Sequence, residues 1–192
     1  KTFKKLVDRN IEDLQIFAQN LKSKKLLVRN RYSEEISIGL YDTTRGIRNT
    51  TKMECYDLLV TSPPYGDNLT TVPYGQHSFL PLNFIDLKDI HSGIDKTLLN
   101  TTNAIDRLCI GGKTKKLSKT QETNLLNTSM TMRLAIDTLQ SKHKDKVNKV
   151  MNFFNDLDTS LDIIADVMKR DSYLVFVIGN RHVGGIEIYN NC

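Results

Sequence analysis

The sequence predicts an α/β fold, a parallel sheet with helices on both faces. Residues 56–61 and 173–178 are short and almost continuously apolar, the pattern of strands covered on two sides. Residues 146–169 place Val147, Val150, Met151, Phe154, Leu157, Leu161, Ile164 and Met168 at helical spacing, which makes one apolar stripe. The resulting order of helix, strand, loop, strand, helix and strand is that of an α/β domain.

Taken in order, residues 3–22 read as an amphipathic helix on Phe3, Leu6, Val7, Leu14, Phe17 and Leu21. Residues 36–41 alternate apolar and small residues and read as a strand ending at Asp42. The strand at 56–61 is stopped by Pro63 and Pro64. Residues 66–83 are rich in Gly, Pro, Thr and Asn and read as a long loop. Residues 84–145 mix short helical patterns with polar turns. The helix at 146–169 then leads into the strand at 173–178, which ends at Gly179-Asn180-Arg181. With 192 residues, 39% of them hydrophobic and 26% charged, the chain is sized for a single domain, 1–192.

Composition narrows the function classes. The three cysteines, Cys55, Cys109 and Cys192, are scattered and form no CxxC pair. Neither a zinc site nor a disulfide framework is indicated, so no metal is expected and the cysteines are read as packing residues. No apolar run has the length of a membrane span, and the basic N-terminus leads into a helix pattern rather than a signal sequence. A cytoplasmic protein with no membrane partner is expected. The net charge of +5 is concentrated at Lys113, Lys115, Lys116 and Lys119, and again at Lys142, Lys144, Lys146 and Lys149. Both clusters fit a solvated surface or contacts to phosphate.

Both of the best strands end in polar, permissive residues, Thr61 to Gly66 and Gly179 to Arg181. Ligands of open parallel sheets gather outside the carboxyl ends of strands, so the two segments and Asp42 are expected on one rim. Two consecutive prolines remove two N–H donors and restrict φ, which presents carbonyls in a fixed direction. Such a carbonyl, with the Ser62 hydroxyl beside it, can accept hydrogen bonds from an amino group. Tyr65 offers a flat face on which a base can stack. If the group facing an amine held in this way is a methyl sulfonium, the reaction is in-line methyl transfer, and a base within a duplex would have to be flipped out to reach it.

The run from Asp57 through Ser62-Pro63-Pro64-Tyr65 to Gly66 resembles the catalytic motif of bacterial DNA amino-methyltransferases of restriction–modification systems. Its continuation to Gln76, the stretch Asp106-Arg107-Leu108 with Gly111-Gly112, and residues 177–181 resemble one subgroup of them. The resemblance covers residues 40–190. It implies a Rossmann-like, S-adenosylmethionine-dependent methyltransferase sheet, incomplete in this chain, that acts on double-stranded DNA with a flipped target base. A cognate restriction endonuclease is the partner such systems imply. Ser62 in the first position points to cytosine N4, with adenine N6 as the alternative. RNA or protein-glutamine amino-methylation and a catalytically inactive, methyltransferase-like DNA-binding partner are further alternatives.

By the same resemblance, Ser62 and the Pro63 carbonyl hold the target amino group, Pro64 holds the turn, and Tyr65 stacks on the base. Asp42 and Thr61 are the candidate cofactor contacts, although a strand-end Asp accepting backbone N–H bonds reads equally well at position 42. Asn68, Thr70, Thr71, Tyr74 and Gln76, with Lys113, Lys115 and Lys116, are the candidate DNA contacts. Asn180 and Arg181 line the base pocket, touch a phosphate or serve structure alone. Residues 84–145 are the candidate for an inserted DNA-contacting region.

The family's Phe-x-Gly-x-Gly cofactor loop does not occur in the sequence. Gly111-Gly112-Lys113-Thr114 lacks the earlier glycine of a P-loop, since Arg107 stands there. The cofactor loop is therefore expected upstream of Lys1. The chain alone is expected to bind S-adenosylmethionine poorly and not to methylate DNA.

Overall fold

The computed structural model describes residues 2–34, 36, 41–45, 54–66, 73–90, 92–113 and 115–189. These form two compact units, Lys1–Leu40 and Tyr41–Cys192.

In the first unit the expected amphipathic helix is α1 (Thr2–Ser23), followed by a hairpin of β1 (Leu27–Val28) and β2 (Arg31–Tyr32). The helix ends in a Schellman arrangement. The Leu26 N–H reaches the Leu21 carbonyl at 2.9 Å, and the Lys25 N–H reaches Lys22 at 3.0 Å. Lys25 takes the left-handed position at φ 58°, where glycine is usual. No residue of α1 is buried, so its apolar side chains are an open face. Of the strand expected over 36–41, residues 37–40 lie outside the described residues, and Ile36 and Tyr41 are exposed without regular structure.

The second unit is mixed α/β. Its elements are β3 (Tyr56–Thr61), α2 (Tyr74–Leu82), α3 (Leu87–Ile90), two 3-10 turns at Lys96–Leu99 and Asp106–Leu108, α4 (Lys119–Thr128), α5 (Met130–Lys142), α6 (Lys144–Val167), β4 (Met168–Phe176), β5 (Arg181–Val183) and β6 (Ile186–Ile188). Strands β3 and β4 pair in parallel, with Leu58 opposite Tyr173 and Thr61 opposite Phe176. The register breaks between Tyr56 and Leu58. There the exposed Lys169 reaches across to Asp57 at 2.7 Å. The parallel direction agrees with the sequence expectation. β4 begins directly out of α6 and stops at Phe176, two residues short of the expected end, although the Val177 N–H still bonds to the Thr61 carbonyl at 2.9 Å.

Burial departs from expectation. No residue of β3 is buried, and of β4 only Met168 is. Leu58 and Val60 are more than half exposed. A wide sheet covered on both faces is not present among the described residues, where the strands lie in three two-stranded sheets. The helices pack on one another instead. Leu125 of α4, Met132, Ile136 and Leu139 of α5, Val150 and Met151 of α6, and Ile188 of β6 form the core. Each such burial contributes about 1.5–3 kcal/mol.

Of the apolar stripe expected on α6, Val150 and Met151 are in the core and Val147 and Phe154 pack against it, but toward its C-terminal end the buried face shifts. Phe153, Ile163 and Val167 are buried, whereas Leu161 is exposed. The Phe153 and Phe154 rings meet edge to face, 5.3 Å between centroids. The expected loop over 66–83 contains α2, which starts after Pro73 and carries Pro81 in its last turn. Proline is tolerated before the first turn, and near the end its missing N–H costs one bond. The 84–145 region resolves into capped helices. Ser118 and Gln121 form a reciprocal capping box on α4, and Ser129 accepts the Met132 N–H at 3.1 Å on α5. No helix among the described residues is long and apolar enough to cross a membrane.

Candidate active site

The parallel pairing brings the ends of β3 and β4 side by side. Past them, the Ser62 hydroxyl donates to the Val177 carbonyl at 3.2 Å. A serine that gives away its proton keeps lone pairs on Oγ and becomes a directed acceptor. The Tyr65 hydroxyl lies 3.5 Å from that Oγ, at the outer limit of a hydrogen bond. Ser62 is exposed, and Pro63, Pro64 and Tyr65 are half-buried. The Ser62 acceptor is therefore exposed on a turn tied to the neighbouring strand end.

Two glycines close the turn against the second segment. A Cβ on Gly179 would stand 3.3 Å from the Tyr65 ring, so backbone and ring are in near contact. A Cβ on Gly66 would run into the Arg181 guanidinium. Arg181, the first residue of β5, is buried, and its guanidinium carbon lies 5.1 Å from the centre of the Phe153 ring. A stacked cation of this kind contributes about 0.5–2 kcal/mol. Arg181 thus joins the Ser-Pro-Pro-Tyr turn to the helical core, and is packed inside rather than displayed at an open rim. Asn180 is exposed, its amide 3.4 Å from Glu187.

Asp42 makes a local turn. Its Oδ1 accepts the Thr44 N–H at 2.9 Å and the Thr44 hydroxyl at 2.6 Å, and its other oxygen lies 3.9 Å from Arg45. Burial raises the pKa of this carboxyl. The Thr44 hydrogen bonds and the charges of Arg45 and Lys115 outweigh that effect and hold it below the ordinary aspartate value. The neighbouring Thr43 hydroxyl meets Ser160 of α6 at 3.1 Å. Thr61 is the last residue of β3, and its carbonyl is taken by Val177.

Of the candidate DNA contacts, Asn68, Thr70 and Thr71 lie outside the described residues. Tyr74 and Gln76 are exposed on the first turn of α2. The fully buried Asp106 anchors that turn, with Oδ1 accepting the Gly75 N–H at 3.0 Å. A Cβ on Gly75 would strike the Thr102 carbonyl, and one on Gly112 would strike the backbone at Asp106 and Arg107. Asp106-Arg107-Leu108 with Gly111-Gly112 is therefore a close-packed knot that seats the start of α2. The sequence marks these residues by resemblance but not by this role. A charged side chain just before a glycine pair was the available signal.

Lys113, Lys115 and Lys116 are exposed. The backbone of Lys115 is pinned to the buried Asn152 in both directions, at 2.9 and 2.8 Å. The Gly111 N–H goes to a carboxylate oxygen of Asp156 at 3.0 Å. A carboxylate at that N–H makes this loop a helix-docking segment and not an anion cradle. Cys55 and Cys109 are half-buried thiols, and no cluster fit to hold a metal occurs among the described residues.

Comparison with known proteins supplies one relationship. Over 137 residues the chain is 37% identical to the Type II methyltransferase M.MvaI of Kocuria varians, a match that takes in 71% of this chain and 29% of that protein. The chain thus spans less than a third of the relative's length. No family model matches the chain, and no solved structure matches it.

Proposed function

We propose that this homologue of a type II methyltransferase is the part of a site-specific DNA methyltransferase that grips the methyl acceptor. Its target is the exocyclic amino group of a flipped base, cytosine N4 in the first instance. The observation that carries the reading is the Ser62 hydroxyl, turned into an acceptor by its bond to Val177. It stands beside a Pro-Pro turn that brings carbonyls and no N–H. Tyr65, backed by Gly179, supports a base as a stacking platform. Preference for cytosine N4 over adenine N6 rests on serine in the first position of the motif. On this reading β3 and β4 are two strands of a Rossmann-like sheet.

S-adenosylmethionine is the methyl donor the reading implies. The described residues do not make a cradle for it. Asp42 spends one oxygen on Thr44 and has Arg45 beside the other, and the sequence has no glycine-rich loop of the expected type. The chemistry of this chain's own residues is therefore that of the acceptor. Ser62 and the Pro63 carbonyl orient the amino group, Tyr65 holds the base plane, and Gly66 and Arg181 fix the turn to the core.

The engagement of Asp42 also favours a second reading, a methyltransferase-like chain that holds DNA without transferring methyl groups. Incubating the protein that carries this chain with methyl-labelled S-adenosylmethionine, duplex DNA and RNA distinguishes the two. Label on DNA, lost with Ser62→Ala and Tyr65→Ala together, is the expected outcome. Label on RNA or on protein alone contradicts the proposal. DNA retained without label supports the second reading.

A further inference from the structure

A cleft of about 280 Å³ lies between the start of α6 and the β5–β6 hairpin, and its walls carry Lys146, Lys149, Arg181 and His182. Lys146 and Lys149 are one turn apart on α6, so their side chains leave the same face. Both are half-buried, an arrangement in which the stem packs and the ammonium reaches water. Among the described residues neither is in an ion pair, and Asp145 is the one carboxylate lining the cleft. Gly184, at φ +59°, seats the opposite wall, where a Cβ would collide with the His143 ring. There the hairpin backbone rests against the His143 side chain at the α5–α6 junction. Arg181 belongs both to this wall and to the packing under Gly66 of the Ser-Pro-Pro-Tyr turn.

We infer that this cleft holds a backbone phosphodiester of the DNA strand whose base is presented to Ser62 and Tyr65. The inference rests on the acceptor reading above and adds the place where the strand is gripped. The Lys146 and Lys149 ammonium groups at a preformed cleft suit a diffuse anion. Because Arg181 spans the two sites, a strand held in the cleft has its neighbouring base within reach of the turn.

The test is equilibrium binding of a labelled DNA duplex to the 192-residue chain across a salt series. Each phosphate contact adds about 0.9 to the slope of log K against log salt. The double variant Lys146→Ala/Lys149→Ala is expected to lower that slope by about 0.9, the value for the one phosphate held in the cleft. Lys4→Ala/Lys5→Ala on α1 removes equal charge and is expected to leave the slope unchanged. Circular dichroism verifies that each variant is folded. An unchanged slope in the cleft variant, or an equal drop in the α1 variant, overturns the inference. Displacement of the duplex from wild type by inorganic phosphate at matched ionic strength, beyond what chloride achieves, makes this a small-anion site and overturns it too. Emission from a fluorescent base analogue at the target position reports flipping by itself. Flipping without the slope difference removes the cleft and spares the acceptor reading. A duplex not retained even at low salt removes both.

Discussion

Ser62 has one proton, and the Val177 carbonyl takes it. On the proposed function the side chain meets an incoming amine with lone pairs, and Ser62→Ala leaves that amine without one acceptor. A lost hydrogen bond at this level corresponds to a fall of about 10-fold in transfer rate, to be measured as methyl incorporation by the protein that carries the chain. Tyr65→Ala removes a stacking face worth about 1–3 kcal/mol per base, so DNA affinity and rate should fall together. Tyr65→Phe should retain most of both. These residues were legible in the sequence because a Pro-Pro turn after an apolar strand is a local signal. The hydroxyl's partner, 115 positions away, was not, since it depends on which strand lies alongside β3. Asp158 gives a test of folding electrostatics. Burial raises its pKa, and Asp162 adds to the effect. A carboxyl whose folded value is raised weakens the fold above that value, and the penalty disappears once the group is protonated. Asp158→Asn should therefore raise Tm at neutral pH and leave it unchanged near about pH 3, below the ordinary aspartate value.

At the scale of elements, α6 holds the site in place. Its Phe153 carries Arg181, and its Asn152 and Asp156 pin the 111–115 segment. Phe153→Ala should cost about 3–5 kcal/mol, seen as a lower denaturation midpoint. Gly66→Ala should cost about 1–3 kcal/mol by overpacking against Arg181, with a loss of base binding that a surface glycine change would not produce. The elements written by periodicity were legible: α1, β3, α6 and most of β4. Exact helical phase was harder, since Phe153 and Ile163 define the buried face of α6 while Leu161 does not. α2 was hidden by Pro73, Gly75 and Pro81, whose loop signal is overridden when Asp106 holds the first turn. The β5–β6 hairpin was not among the expected elements; it turns at Gly184-Gly185, both at positive φ.

For the molecule as a whole, the sequence announced an α/β chain and a parallel strand pair. It did not announce that the pair would stand with open apolar faces while α4, α5, α6 and β6 built the core. Local apolarity marks a strand for burial without saying what covers it. The same limit applies to function, since the chain spans 29% of its methyltransferase relative and the residues proposed to hold the acceptor are better defined than any cofactor cradle. The 192-residue chain alone is expected to show little affinity for S-adenosylmethionine in calorimetry, and robust turnover by it would contradict that. The central claim, that the Ser-Pro-Pro-Tyr turn presents an exocyclic amino group of DNA, is tested most directly by nucleoside mass spectrometry. The DNA would come from a methylation-free host expressing the protein that carries this chain. The account predicts N4-methylcytosine, lost when Ser62 and Tyr65 are both replaced by alanine. A ring-carbon methyl group, or amino methylation unaffected by those substitutions, would contradict it.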